Sequence, residues 1–139
     1  WYNEGTGDYF AGYQLEHQKF KLKPFDWRVG LVVKNLKADA IVPLNEFVYY
    51  DQPKYYGRVK SKYGTTIGDH YAQGWSLIYF LRTGKKSARC WNPEWDTILD
   101  VYLHTLCATS DAKMASDKAF AAVDFDELQK CWSDYILGL

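Results

Sequence analysis

The stretch that most constrains this chain is YAQGWSLIYFL, residues 71–81. Apart from Gln73, Gly74 and Ser76, every position in it is apolar or aromatic. Wound as a helix it has no broad polar face, and a helix that is apolar nearly all round is stable only when buried among other elements. Asp69 just ahead of it is a good N-cap, so a helix is predicted over residues 69–82. The rest of the chain must then supply elements with one apolar face each to surround it.

The segments on either side carry that pattern. Residues 3–11 read as a first helix ending near Gly12. Residues 13–23 alternate Tyr13, Leu15 and His17, then Phe20 and Leu22, which predicts a small β-hairpin. Asp26 is placed to cap a helix through Lys37 with Trp27, Leu31 and Leu36 facing inward. Pro43 opens a short helix, PLNEFVYY, followed by a polar, tyrosine-rich loop from Asp51 to Gly68. Asn92-Pro93-Glu94 combines a cap, an N1 proline and a first-turn acid. The helix it opens puts Trp95, Ile98, Leu99, Tyr102, Leu103 and Leu106 at helical spacing. Asp111 starts another helix that ends near Val123. Asp124 or Asp126 caps the last one, with Phe125, Leu128, Trp132, Tyr135 and Ile136 on one face. The expected fold is therefore mainly α: about six helices and a small hairpin in one domain covering residues 1–139.

At 139 residues, with 47% apolar and 24% charged side chains, the composition fits a globular domain and argues against disorder. A chain of this length buries roughly two thirds of its unfolded surface. Six Trp, 12 Tyr and 7 Phe suit either an aromatic core or a surface that binds peptide or carbohydrate. Tyr49, Tyr50, Tyr55, Tyr56 and Tyr63 are open to the same two readings, a substrate cleft or packing under a long connection. The 17 basic and 17 acidic residues cancel, so there is no electrostatic footprint for nucleic acid. Four cations interleave with tyrosines between Lys54 and Lys62, a pattern read as a solvated loop. No run approaches the roughly 20 apolar residues that span a bilayer, and no signal peptide is visible. The start at Trp1 rather than Met reads as truncation or processing within a larger domain. Cys90, Cys107 and Cys131 form no C-x-x-C pattern. Cys107 and Cys131 fall on apolar helices and are expected as buried free thiols, with one disulfide plus one free thiol as the alternative.

Chemistry concentrates at the start of the chain, WYNEGTGDYF. Glu4 and Asp8 lie at i, i+4 and share a helix face. Taken alone, each reads as a solvated acid, Glu4 being favoured in the first turn by the helix dipole. A zinc hydrolase holds its metal with three protein ligands and leaves a position for water. The three histidines, His17, His70 and His104, are far apart, and none lies at i, i+4 from another. Glu16-His17 does not reproduce the H-E-x-x-H spacing that sets two imidazoles and a glutamate on one face. A self-contained zinc site is therefore not expected.

Trp1, Asn3, Glu4, Gly5 and Tyr9 nevertheless resemble W-x-N-E-G-x-A-x-Y, the segment that carries the third zinc ligand in gluzincin metallopeptidases. Tyr71, 67 positions after Glu4 and opening YAQGWSLIYFL, is similar to the tyrosine that opens Y-x-K-G-x-x-L-x-x-x-L in the aminopeptidase N family. The order of segments also resembles the C-terminal part of a bacterial peptidase-MA-like family: the E-G segment, PLNEFVYYDQPKYYG, the Y-A-Q-x-W helix, then Phe125-Asp126-Glu127-Leu128 with Trp132 and Tyr135. Together these cover nearly the whole chain. Two positions depart from the patterns: Gln73 stands where the aminopeptidases have Lys, and Gly7 where the usual residue is Ala.

The resemblance implies the C-terminal subdomain of a gluzincin-like fold and a zinc-dependent hydrolysis of peptide bonds. Glu4 would be the metal ligand, and Tyr71 would stabilise the oxyanion. Asp8 and Asn3 would act from behind the ligands, Asp8 by orienting a histidine. Tyr55, Tyr56 and His70 would lie along the substrate cleft. An upstream H-E-x-x-H segment would supply two histidines and the base, so the chain by itself is expected neither to hydrolyse peptides nor to bind zinc tightly. The expected partners are a peptide or protein substrate and that N-terminal segment, with a periplasmic or secreted location as a family-level lean. For Tyr71 the residues alone read as a core tyrosine, and for His70 as a helix-cap neighbour. The rival function is a gluzincin scaffold that has lost catalysis and binds a peptide, a glycan or a protein partner.

Overall fold

The computed structural model describes residues 1–139. The protein is mainly α-helical with one hairpin, as its sequence pattern predicts. In chain order it contains α1 (Tyr2–Ala11), the antiparallel strands β1 (Tyr13–Glu16) and β2 (Lys19–Leu22), α2 (Asp26–Lys37), and the single turns α3 (Leu44–Phe47) and α4 (Gln52–Tyr55). Then come α5 (Ile67–Thr83), 3-10 turns at Gly84–Lys86 and Pro93–Thr97, α6 (Ile98–Thr109), α7 (Ala112–Ala119) and α8 (Phe125–Leu137).

The α5 helix is the hub. Its residues from Ala72 through Leu81 are all buried, with Trp75, Leu77, Ile78 and Phe80 fully so. The helices α1, α2 and α8 pack directly on it. Its buried His70, Gln73 and Ser76 side chains are all hydrogen-bonded, whereas the buried Trp75 Nε1 has no partner. Gln73 pairs with the Val42 peptide as a neighbouring strand would, its Nε2 donating to Val42 O at 2.6 Å and its Oε1 accepting from Val42 N at 3.3 Å. Gln73 is therefore a structural tie to the segment before α3. Ser76 Oγ donates to Gln73 O and accepts from Trp132 Nε1 of α8.

Several sequence expectations need correction. The N-cap of α5 is Thr66, and Asp69 sits at N3. The two side chains satisfy each other's backbone N–H groups in a capping box, which starts the helix earlier than Asp69 alone implies. In α2, Leu31 and Leu36 pack against the core as expected, but the buried residues are Arg28, Val32 and Asn35, and Trp27 is exposed. Trp27 points outward because its ring stacks on the Arg28 guanidinium, 3.8 Å from centroid to Cζ, while Arg28 turns inward to pair with Asp8. Leu103 also faces solvent. The α7 helix stops at Ala119 rather than near Val123. The loop after Asp51 contains α4, capped by the Asp51 carboxylate accepting from Lys54 N.

Cysteines are corrected too. Cys131 is buried but not free: it forms a disulfide with Cys90, 5.7 Å between Cα atoms, that ties the segment after α5 to α8. Cys107 is free, as expected, but exposed rather than buried. No helix is long and apolar enough to cross a membrane.

Candidate functional site

Close helix packing sets the site. Gly5 of α1 lies against the Gly74 backbone of α5, where a Cβ on Gly5 would meet Gly74 O at 2.4 Å and Ile78 Cγ1 at 2.9 Å. Only glycine allows that approach. Glu4 precedes Gly5, and Tyr71 lies one turn before Gly74 on the same helix. The glycine contact thus fixes the two helices that carry them. Asp8 follows Glu4 by one turn on the same face of α1.

Glu4 and Tyr71 are brought together with Tyr56. The Tyr56 hydroxyl donates to Glu4 Oε1 at 2.5 Å. The Tyr56 and Tyr71 rings are neighbours, 6.4 Å between centroids. Burial, together with the Glu4 carboxylate and Tyr56 beside it, pushes the Tyr71 phenol up to about 12. Hydrogen bonding to Glu4 likewise raises the Tyr56 phenol. A phenol beside a carboxylate keeps its proton, because ionising it would place two negative charges together. Both hydroxyls therefore stay donors across the physiological range.

Asp8 lies beside this cluster. Its Oδ2 is 2.6 Å from Nη2 of the buried Arg28. The same guanidinium lies 5.2 Å from the Tyr71 ring centroid and donates to Gly68 O at 3.4 Å. Burial raises the Asp8 carboxyl above its usual range, against the opposing pull of Arg28. Asn3 is exposed on α1.

Tyr55 and His70 form an interior pair behind this cluster, the Tyr55 ring packing against Tyr71 at 5.6 Å and Tyr56 at 5.8 Å. His70 is fully buried, so it does not line a cleft. Its Nδ1 lies 2.7 Å from Tyr55 O and its Nε2 2.8 Å from Thr65 Oγ1. The Tyr55 hydroxyl donates to His70 O at 3.1 Å. A carbonyl only accepts, so Nδ1 carries the proton. Burial lowers the His70 pKa and keeps the ring neutral. Of this pair only Tyr55 reaches the groove described next.

That groove has a volume of about 300 Å³, near the lower end for ligand pockets. Glu4, Asn3 and Tyr56 line it together with Trp1, Tyr2, Val48, Tyr102 and Leu106, which make the lining largely apolar.

No three His, Cys, Asp or Glu side chains converge. His17 is exposed in the hairpin turn, both nitrogens of His70 are engaged, and His104 bonds Asp100 O on the surface of α6. Glu4 fits a metal only as one ligand of a larger set.

Sequence reasoning placed Tyr56 in a cleft but did not foresee its bond to Glu4. The two are 52 positions apart, and no local pattern links them. Arg28 was missed because a lone arginine on a predicted surface helix carries no signal of burial. No protein-family model, no curated protein and no solved structure matches this chain.

Proposed function

We propose that this chain is the C-terminal part of a gluzincin-type zinc metallopeptidase that hydrolyses peptide bonds. The observation that carries the reading is that Tyr56, with Tyr71 as its ring neighbour, holds Glu4 by a hydrogen bond, and that Glu4 and Tyr56 line an apolar groove. Glu4 would be the third metal ligand. Two histidines and the general base would come from an H-E-x-x-H segment upstream of Trp1. When bound, zinc supplies Lewis-acid polarisation and an activated water.

The chain's own residues have definite tasks in this reading. Tyr71, protonated far above neutral pH, donates to the oxygen on which charge develops. Tyr56 holds Glu4 through its hydroxyl and fixes the carboxylate's orientation. Arg28 balances Asp8 and supports the Tyr71 ring from behind. Asp8 is committed to Arg28 through Oδ2, which leaves its other oxygen to orient an imidazole. The Cys90–Cys131 disulfide suits an oxidising compartment, in keeping with a secreted or periplasmic protein.

A second reading, a binding module without catalysis, is favoured by the same Tyr56 hydrogen bond, since it gives Glu4 a partner that needs no metal. Upstream sequence separates the two: an intact H-E-x-x-H supports the peptidase, a degenerate one the binding module. The direct test is hydrolysis of a peptide mixture by the native protein. Cleavage abolished by Glu4→Gln and strongly reduced by Tyr71→Phe is expected. Cleavage indifferent to both substitutions overturns the assignment.

A further inference from the structure

We infer that a second concavity, between α4 and the loop that follows it, binds a phosphate dianion, free or carried on a small ester. The chain builds this concavity locally. Asp51 caps the single turn α4, and Gly57, at φ +69°, reverses the chain in a conformation that favours glycine. Arg58 N and Val59 N then both donate to Pro53 O, at 2.9 and 3.2 Å, which folds the loop back against α4. Lys54 on the turn and Lys60 and Lys62 on the loop thereby line one concavity of about 240 Å³, together with Glu46, Tyr50 and Ser61. The cations between Lys54 and Lys62 converge here rather than fan out into solvent.

Three lysines against one glutamate leave a surplus of two positive charges in this concavity, on a chain whose total charge is zero. Lys62 pairs with Glu46 at 2.9 Å, and the Tyr63 hydroxyl donates to the same Glu46 oxygen at 2.7 Å. Lys54 and Lys60 pair with no carboxylate; the nearby Asp51 serves the Lys54 backbone N–H instead. Like charges gathered in a concavity repel one another and raise the local concentration of anions. Ser61 adds a hydroxyl. Its Oγ accepts from Tyr63 N at 3.2 Å and from Thr65 Oγ1 at 2.7 Å, and it lies within hydrogen-bond reach of the Tyr50 phenol. Whichever of these two hydroxyls donates to the other, one O–H remains for a guest. A phosphate dianion matches the set: it accepts from ammonium and hydroxyl donors and carries both of the charges needed, whereas one carboxylate carries half. The concavity is smaller than drug-sized ligand pockets, and the neutral chain offers no extended basic track for a polyanion.

Proton–nitrogen NMR titration of the native protein at low salt tests this with inorganic phosphate, glycerol phosphate and acetate. Saturable shifts centred on residues 50–62 are expected, with phosphate binding at least about fivefold more tightly than acetate. Lys54→Ala and Lys60→Ala, both at exposed positions, are each expected to weaken phosphate binding about fivefold. Glu46→Gln removes the competing carboxylate and should strengthen it. Lys34→Ala combined with Lys37→Ala takes two cations from exposed positions on α2 and should leave it unchanged. Whichever of inorganic phosphate and glycerol phosphate binds more tightly identifies the free ion or the ester as the guest. Shifts that never saturate or that centre elsewhere, acetate binding as tightly as phosphate, or equal weakening by the Lys34 and Lys37 control overturns the inference.

Discussion

Gly5 and Gly74 touch across the α1–α5 interface so closely that a Cβ on Gly5 would lie 2.4 Å from the Gly74 carbonyl oxygen. Neither partner can give way, because the obstructing atoms are backbone within a buried helix. Gly5→Ala is therefore expected to lose about 1–3 kcal/mol and to pull Glu4 away from Tyr56. Gly7, two residues on, has open space around its α-carbon and sits exposed in the same helix. Gly7→Ala is expected to gain about 0.5–1 kcal/mol. Urea unfolding of both variants checks the pair of opposite signs.

The disulfide predicts a large stability difference. Cys90 and Cys131 close a span of 41 residues. On the chain-entropy estimate such a loop is worth about 4 kcal/mol. Cys90→Ala is the cleaner variant, since Cys90 is exposed and Cys131 is buried. Its denaturation midpoint should match that of the reduced wild type. Cys107 should react with a thiol reagent in the native state, and no other thiol should do so.

His70 predicts an acid-side loss of stability. Its folded pKa lies below its ordinary value of 6.5 because burial disfavours the imidazolium. Between the folded and unfolded values the unfolded chain binds the extra proton, so stability rises with pH across that window. The melting temperature should therefore fall as pH drops below about 6.5 and level off beneath the folded value. His70→Gln should be less stable at pH 8 and should lose that part of the slope. Asp8, with its folded pKa raised, contributes the opposite slope above 3.8, so the comparison with His70→Gln isolates the histidine.

Tyr71 predicts a shift that reports its neighbour. The Glu4 carboxylate contributes to lifting its phenol to about 12. Replacing Glu4 with Gln removes that charge and should bring the Tyr71 pKa down toward 10, while burial keeps it above that value. Carbon-13 NMR of labelled tyrosine rings, with Tyr71→Phe to assign the resonance, reads this directly. An unchanged Tyr71 titration in Glu4→Gln contradicts the arrangement.

What the sequence disclosed follows from the range over which each signal acts. The α5 helix was legible because a run apolar on nearly every side has one stable environment. The caps at Asn92, Asp111 and Asp124 were legible because an N-cap acts within three residues, and each accepts the expected backbone N–H. The α5 start was misplaced because Thr66 and Asp69 both carry capping chemistry and the reciprocal box makes either look like the first residue. Trp27 and Arg28 exchanged their expected places because an ion pair to another helix overrode hydrophobicity. The Cys90–Cys131 pairing could not be chosen from three cysteines by spacing. At the site, the juxtaposition of Glu4 and Tyr71 was reachable only through the resemblance to peptidases. Tyr56 closing on Glu4 is a product of tertiary packing alone.

The central claim is that Glu4 is a metal ligand in the native protein, and zinc stoichiometry tests it most directly. Native wild-type protein and Glu4→Gln, exchanged against a chelator and reloaded with zinc, should differ sharply. The account predicts one tightly bound zinc per molecule of native protein carrying the upstream H-E-x-x-H segment, and affinity reduced by at least about 10–100-fold in Glu4→Gln, the scale set by losing even a supporting contact of a metal site. Wild-type protein that binds no zinc, or a Glu4→Gln protein that binds it equally well, contradicts the claim.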